Sequence, residues 1–173
     1  MGKNFDYEDN RTNKSISKVL NQNKQGDVYL NVYSDPNTDI GSLDFSNCSL
    51  IHFSILVDVF GETSNIEQPV GYEFHLRRPK LTEKKVEFDA YYKIHYSDKH
   101  KASVLIGKWK EDDILFQKYL KTAKDLYLEY TDPSNNFENI NSYGFSKYLA
   151  EKTGSKWLKS IKSPNEYQYI VET

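Results

Sequence analysis

Positive charge is missing from a long stretch of this chain: between Lys24 and Arg77 there is no lysine or arginine across 52 positions, which nonetheless carry eight carboxylates. From Arg77 onward 18 basic residues face 14 acidic ones, so the formal net charge of −2 hides an acidic block followed by a mildly basic one. An acidic block of this kind repels nucleic acid and attracts basic partners. Cysteine is almost absent too. Cys48 is the only one, which excludes an internal disulfide and suits a buried, inert thiol. The eight glycines do not cluster, which excludes phosphate-loop and dinucleotide fingerprints, and no serine-hydrolase elbow is present. Long apolar runs are lacking as well. The longest apolar-leaning stretch, Leu50 to Phe60, is interrupted by His52, Ser54 and Asp58 and is too short to cross a bilayer. The polar start, Met1 to Lys14, does not read as a signal peptide, so a cytoplasmic protein is expected.

At 173 residues and 20.2 kDa the chain suits one domain, one that buries roughly 70% of its unfolded surface without a metal or disulfide staple. Residues 1–13 carry no usable periodicity and are expected to form a flexible N-terminal segment, with a single domain over 14–173. A short helix is expected from Lys14 to Asn23. The period then changes to two: Val28, Leu30 and Val32 alternate with Tyr29, Asn31 and Tyr33, which predicts a half-buried strand. Ser49 to Phe60 is too continuously apolar for a face open to water and predicts a central strand.

Two further segments alternate most clearly. Val70, Tyr72, Phe74 and Leu76 oppose Glu73, His75 and Arg77; Val86, Phe88, Ala90, Tyr92, Ile94 and Tyr96 oppose Glu87, Asp89, Tyr91, Lys93 and His95. A hairpin joining them in one register sets Arg77 opposite Glu87 and His75 opposite Asp89. Ala102 to Trp109 predicts a further strand. Glu111 to Tyr130 predicts a helix with an apolar stripe through Tyr119, Ala123, Tyr127 and Tyr130. Ser142 to Thr153 predicts a second helix with Ser142 as N-cap and Gly154 as stop, a short third piece follows through Trp157, Leu158 and Ile161, and Tyr167, Tyr169 and Val171 suit an edge strand. Strands first and helices afterwards predict an α+β fold: an antiparallel sheet of about five strands over residues 27–109, followed by two or three helices packed on one face.

Candidate chemistry is sparse. His95, Asp98 and His100 flank a loop, but their spacing matches no standard metal-ligand pattern, and solvated turn residues are the simpler account. His75 beside Asp89 or Glu87 has the form of a general base held by a carboxylate, yet polar cross-strand pairs are common on sheet faces. Asp58, Glu73, Asp89 and Lys93 are of the residue types, carboxylates and a lysine on adjacent strands, with which a nuclease can hold magnesium. Lys147 to Lys162 surrounds Trp157 and Tyr148 with lysines, a pattern able to contact phosphates and stack bases, although arginine is scarce and the pI is about 6.1.

Tyrosine occurs 14 times, and Tyr29, Tyr33, Tyr91 and Tyr143 fall where the strand and loop pattern leaves them outward, positions suited to interface anchors. The leading expectation is therefore a non-enzymatic protein that binds and inhibits a basic, nucleic-acid-handling protein. Asp35, Asp39, Asp44, Glu62 and Glu67 supply charge and Tyr29 and Tyr33 anchor the interface; no catalytic residue, metal or cofactor is assigned. A metal-dependent hydrolase or nuclease using the strand carboxylates and histidines is the first alternative, and a nucleic-acid-binding module using the lysine-rich C-terminal region the second.

Overall fold

The computed structural model describes residues 20–34, 51–78, 85–111, 116–135, 137 and 140–161. Among them, five strands come first: β1 (Asp27–Ser34), β2 (Ile51–Asp58), β3 (Gly71–Arg77), β4 (Glu87–Lys93) and β5 (His100–Lys108). Two described α-helices, α1 (Phe116–Thr131) and α2 (Ser142–Lys152), follow, separated by a short 3-10 turn at Pro133–Asn135. The sheet runs β4-β3-β2-β1-β5 and every pairing is antiparallel. This is the α+β arrangement that strands-then-helices predicts, with β2 in the centre as its near-continuous apolar run requires.

Alternation decides which face the helices cover. Val28, Leu30 and Val32 of β1, Phe53, Ile55 and Val57 of β2, Tyr72, Phe74 and Leu76 of β3, and Ala90 and Tyr92 of β4 form one cluster with Tyr119, Ala123 and Tyr130 of α1 and Phe145, Leu149 and Ala150 of α2. Each valine, leucine, isoleucine or phenylalanine side chain so taken from water contributes about 1.5–3 kcal/mol. Aromatic edges tie the layers: Phe88 meets Phe145 edge-on at 6.3 Å, and Phe53 meets Tyr143 edge-on at 5.3 Å.

The β3–β4 hairpin has the expected register, with His75 opposite Asp89 and Arg77 opposite Glu87. The helix α2 departs from expectation by one residue in its cap. Asn141, not Ser142, is the N-cap, because its extended backbone lets its side chain accept the Gly144 N–H at 2.7 Å; Ser142 is instead buried and accepts the Phe53 N–H of β2 at 3.1 Å. Gly154, at φ +97°, ends the helix in the left-handed region. Residues 157–161 do not continue as a helix; a turn closes with the Ile161 N–H on the Leu158 carbonyl. Residues 1–13, most of the Lys14–Asn23 segment, Cys48 and the Tyr167–Val171 segment lie outside the described residues. No described helix is long and apolar enough to cross a membrane.

Candidate functional site

The sheet's other face is buried as well, and it is polar. Tyr33, His52, Ser54, Glu73 and His75 are each 0–1% exposed, and Asp89 and Lys93 nearly as closed. The expectation that Tyr29 and Tyr33 point outward is thereby corrected: they are 2% and 0% exposed. Tyr91 is buried too, its ring stacked 5.1 Å from His75. Several polar groups on this face find partners on neighbouring strands: Tyr33 and Ser54 donate to Glu73, and His52 lies against His75, so burial does not leave the whole layer unsatisfied.

Glu73 is the hub. Its Oε2 accepts from Asn31 Nδ2 at 2.7 Å, Tyr33 Oη at 2.5 Å and Ser54 Oγ at 2.6 Å. Its Oε1 lies 2.8 Å from His75 Nε2 and 4.0 Å from Lys93 Nζ, but neither Oε1 nor His75 Nε2 has a hydrogen-bond partner of good alignment, so that contact is chiefly Coulombic. Burial by itself would raise the Glu73 pKa; the His75 imidazole and Lys93 ammonium overcome it and hold the carboxyl well below its ordinary range. Burial first, and the Glu73 charge next, push the Tyr33 phenol well above its usual value, so it stays a donor.

Two histidines extend the network. His52 Nε2 and His75 Nδ1 are 2.7 Å apart with the rings nearly coplanar, and His52 Nδ1 is buried without a partner. Burial drives the His52 pKa well below that of a free imidazole, and the neighbouring His75 adds to the effect. Lys93 sits among the rings of Tyr33, Tyr91 and Tyr96, with Nζ 4.9–5.7 Å from their centroids, where cation–π attraction complements the Glu73 charge.

The network reaches the surface along β5. Because the ionised Glu73 accepts only, the Asn31 amide nitrogen must face it, which turns Asn31 Oδ1 toward Ser103 Oγ, a donor at 2.5 Å. The Ser103 proton is thus held by Asn31, and His100 Nε2, 2.8 Å from Ser103 Oγ, is left to donate. A serine with its proton committed to an amide oxygen is not an activated nucleophile, whatever the His–Ser spacing suggests. Burial lowers the His100 pKa, and its ring packs 4.2 Å from that of Tyr96. Beyond His100 and Ser103 opens a cleft of about 490 Å³, lined by them with Lys101, Ala102 and, from the β2–β3 loop, Asn65, Glu67 and Gln68. Two exposed apolar side chains lie close to its lining residues in sequence: Ile66, 65% exposed, falls between Asn65 and Glu67, and Leu105, 52% exposed, follows Ser103 by two residues.

The other candidate residues separate. Asp35, Asp39 and Asp44 lie outside the described residues. Glu62 accepts the Tyr92 hydroxyl, Asp58 accepts the Glu62 and Thr63 N–H groups at 2.9 and 3.0 Å, and Asp27 pairs with Lys108 at 3.2 Å. Glu67 alone among the described members of the acidic block is exposed on the cleft. The set Asp58, Glu73, Asp89 and Lys93 divides, with only Glu73 and Lys93 adjacent; Asp89 faces Arg77 at 3.5 Å. His95 and Asp98 are exposed while His100 turns inward, and among the described residues no group of three His, Cys, Asp or Glu side chains is placed to hold a metal. Trp157 packs edge-on to Tyr143 and donates to its hydroxyl at 3.3 Å, and Lys152 lies over the Tyr148 ring. Compared with family models, curated proteins and solved structures, the chain matches none.

Proposed function

We propose that the protein is a non-enzymatic binding protein that inhibits a basic, nucleic-acid-handling protein through the β5 cleft. The observation that supports this reading is the pairing of exposed Ile66 and Leu105 with a polar cleft bearing Glu67. Exposed apolar side chains rimmed by polar groups are the make-up of a protein interface. The acidic sequence between β1 and β2, with Asp35, Asp39 and Asp44, adds a field that raises the association rate of a cationic partner and selects against anionic ones.

The test places a photo-crosslinking residue at position 66, 105 or 128 of the full chain and exposes it to host lysate; Leu128 is equally exposed but lies on α1. The reading expects a basic protein crosslinked from 66 and 105 and not from 128, whose nuclease or nucleic-acid-binding activity falls in proportion to added chain. Crosslinks to nucleic acid, or hydrolysis of nucleic acid by the purified chain that is lost in His75→Ala, overturn it.

A further inference from the structure

Among the described residues β5 is an edge strand, and they close its outer side only in part. Near its end the Lys156 N–H donates to the Ile106 carbonyl at 3.2 Å, and a Cβ on Gly107 would meet Ser155 within 3 Å. The turn after α2 therefore seals that half. Among the described residues no strand pairs with the outer side of the other half. The cleft touches four successive residues, His100 to Ser103. Ala102 and Ser103 are regularly paired neighbours whose side chains point to opposite faces, so a space in contact with both reaches the strand's edge, beside its backbone.

Register irregularities bound the usable window. Pairing with β1 skips Lys101 between Ala102 and His100, and skips Ile106 between Gly107 and Leu105. Bulges are a device for blocking strand addition. Between them Ala102, Ser103, Val104 and Leu105 pair regularly with β1 and carry no charge. Four uncharged, regularly paired residues on an edge that no described strand covers, beside a cleft, form a short template for a further strand.

We propose that Ala102–Leu105 takes up an extended segment of the partner as a sixth strand, with one basic side chain of that segment meeting Glu67 and its apolar side chains meeting Leu105 and Ile66. The inference rests on the basic-partner reading above and adds the mode of capture. Charge decides the composition. Glu67 attracts one cation, whereas Lys101 at the window's end disfavours a run of them. The segment is thus apolar with a single lysine or arginine.

The probe is a blocked hexapeptide of alternating threonine and valine with one valine replaced by lysine, added to the full chain and followed by amide hydrogen exchange resolved by residue. Exchange slows at least tenfold at those amides of residues 102–105 that point away from β1 while α1 is unchanged, Glu67→Gln weakens binding two- to fivefold, as a surface ion pair allows, and Leu105→Asp weakens it further. No slowing at 102–105, equal binding of the peptide with glutamate in place of lysine, or protection that rises with protein concentration in the absence of peptide, which marks a second copy as the occupant, overturns the proposal. A basic protein that inhibition assays confirm as the partner, bound without protection at 102–105, defeats the strand-addition mode alone. Peptide addition at β5 with no basic protein recognised defeats the functional reading alone.

Discussion

Removing the Glu73 carboxylate is the sharpest probe of the buried polar face. In Glu73→Ala the amide of Asn31 and the hydroxyls of Tyr33 and Ser54 lose their common acceptor, and an orphaned buried donor costs about 1–3 kcal/mol. Lys93 and His75 lose the nearby negative charge at the same time; breaking a buried ion pair costs about 3–5 kcal/mol. These terms overlap because they share one group, so a loss of about 4 kcal/mol is expected, not their sum. With a urea m-value of about 2 kcal/mol/M, the unfolding midpoint falls by about 2 M. Glu73→Gln keeps an acceptor for the three donors but still leaves Lys93 without its counter-charge, so about 3 kcal/mol is expected, a smaller loss than in Glu73→Ala because no donor is orphaned. Equilibrium urea unfolding followed by tyrosine fluorescence and by circular dichroism measures both. A loss below about 1 kcal/mol in Glu73→Ala, or an equal loss in the two variants, refutes the role of Glu73 as hub.

Further outcomes follow from the same geometry. The folded-state pKa of His52 lies below its unfolded value, so the unfolded chain takes up a proton first and stability falls as pH drops below about 6.5, by up to about 1.4 kcal/mol per pH unit for this one group. Glu73 acts in the same sense at lower pH: its folded value is depressed, so its contribution is complete above the unfolded carboxylate range and is lost as pH falls through and below it. Urea titrations from pH 8 to 4 read both effects, and His52→Phe removes the first; an unchanged pH slope in that variant contradicts the assignment. A Cβ at Gly71 would lie 2.0 Å from the Val57 carbonyl oxygen, so Gly71→Ala forces β2 and β3 apart and lowers stability by about 1–3 kcal/mol in the same assay. By contrast Leu105→Asp and Ile66→Ser change exposed side chains and shift stability by less than about 0.5 kcal/mol, while partner binding measured by calorimetry is lost.

The fold is largely legible in the sequence because its signals are local. Period-two alternation in Val70–Arg77 and Val86–Tyr96 sets both faces of the β3–β4 hairpin; it leaves the register open to a two-residue shift, and the register observed is the one with Arg77 opposite Glu87, although the Arg77 ion pair is with Asp89. Asn141 is hard to identify as the cap because Ser142 is also a good capping residue, and only the backbone conformation at 141 separates them. The site is far less legible. Polar residues on alternate strand positions read as a solvated face, whereas Tyr33, His52, Glu73 and His75 are sealed together. One signal is present: that face carries tyrosines and histidines where a solvated sheet carries lysine and threonine, and Lys93 is its only lysine on β1 to β4. The His52–His75 contact joins residues 23 apart on adjacent strands, and no spacing rule announces it. Nor does sequence order reveal that the Asn65–Gln68 loop and the start of β5 share one cleft. The acidic block, conspicuous in sequence, dissolves in part into internal roles, since Asp27, Asp58, Glu62 and Glu73 each serve a contact within the fold.

The most direct measurement is hydrogen–deuterium exchange of the full chain with a basic protein captured by the proposed crosslinking, compared with the chain alone. Recognition through the β5 cleft predicts protection confined to residues 65–68 and 100–105, with the Lys147–Lys159 region unchanged. Protection of the lysine-rich region, with the cleft unaltered, contradicts the account.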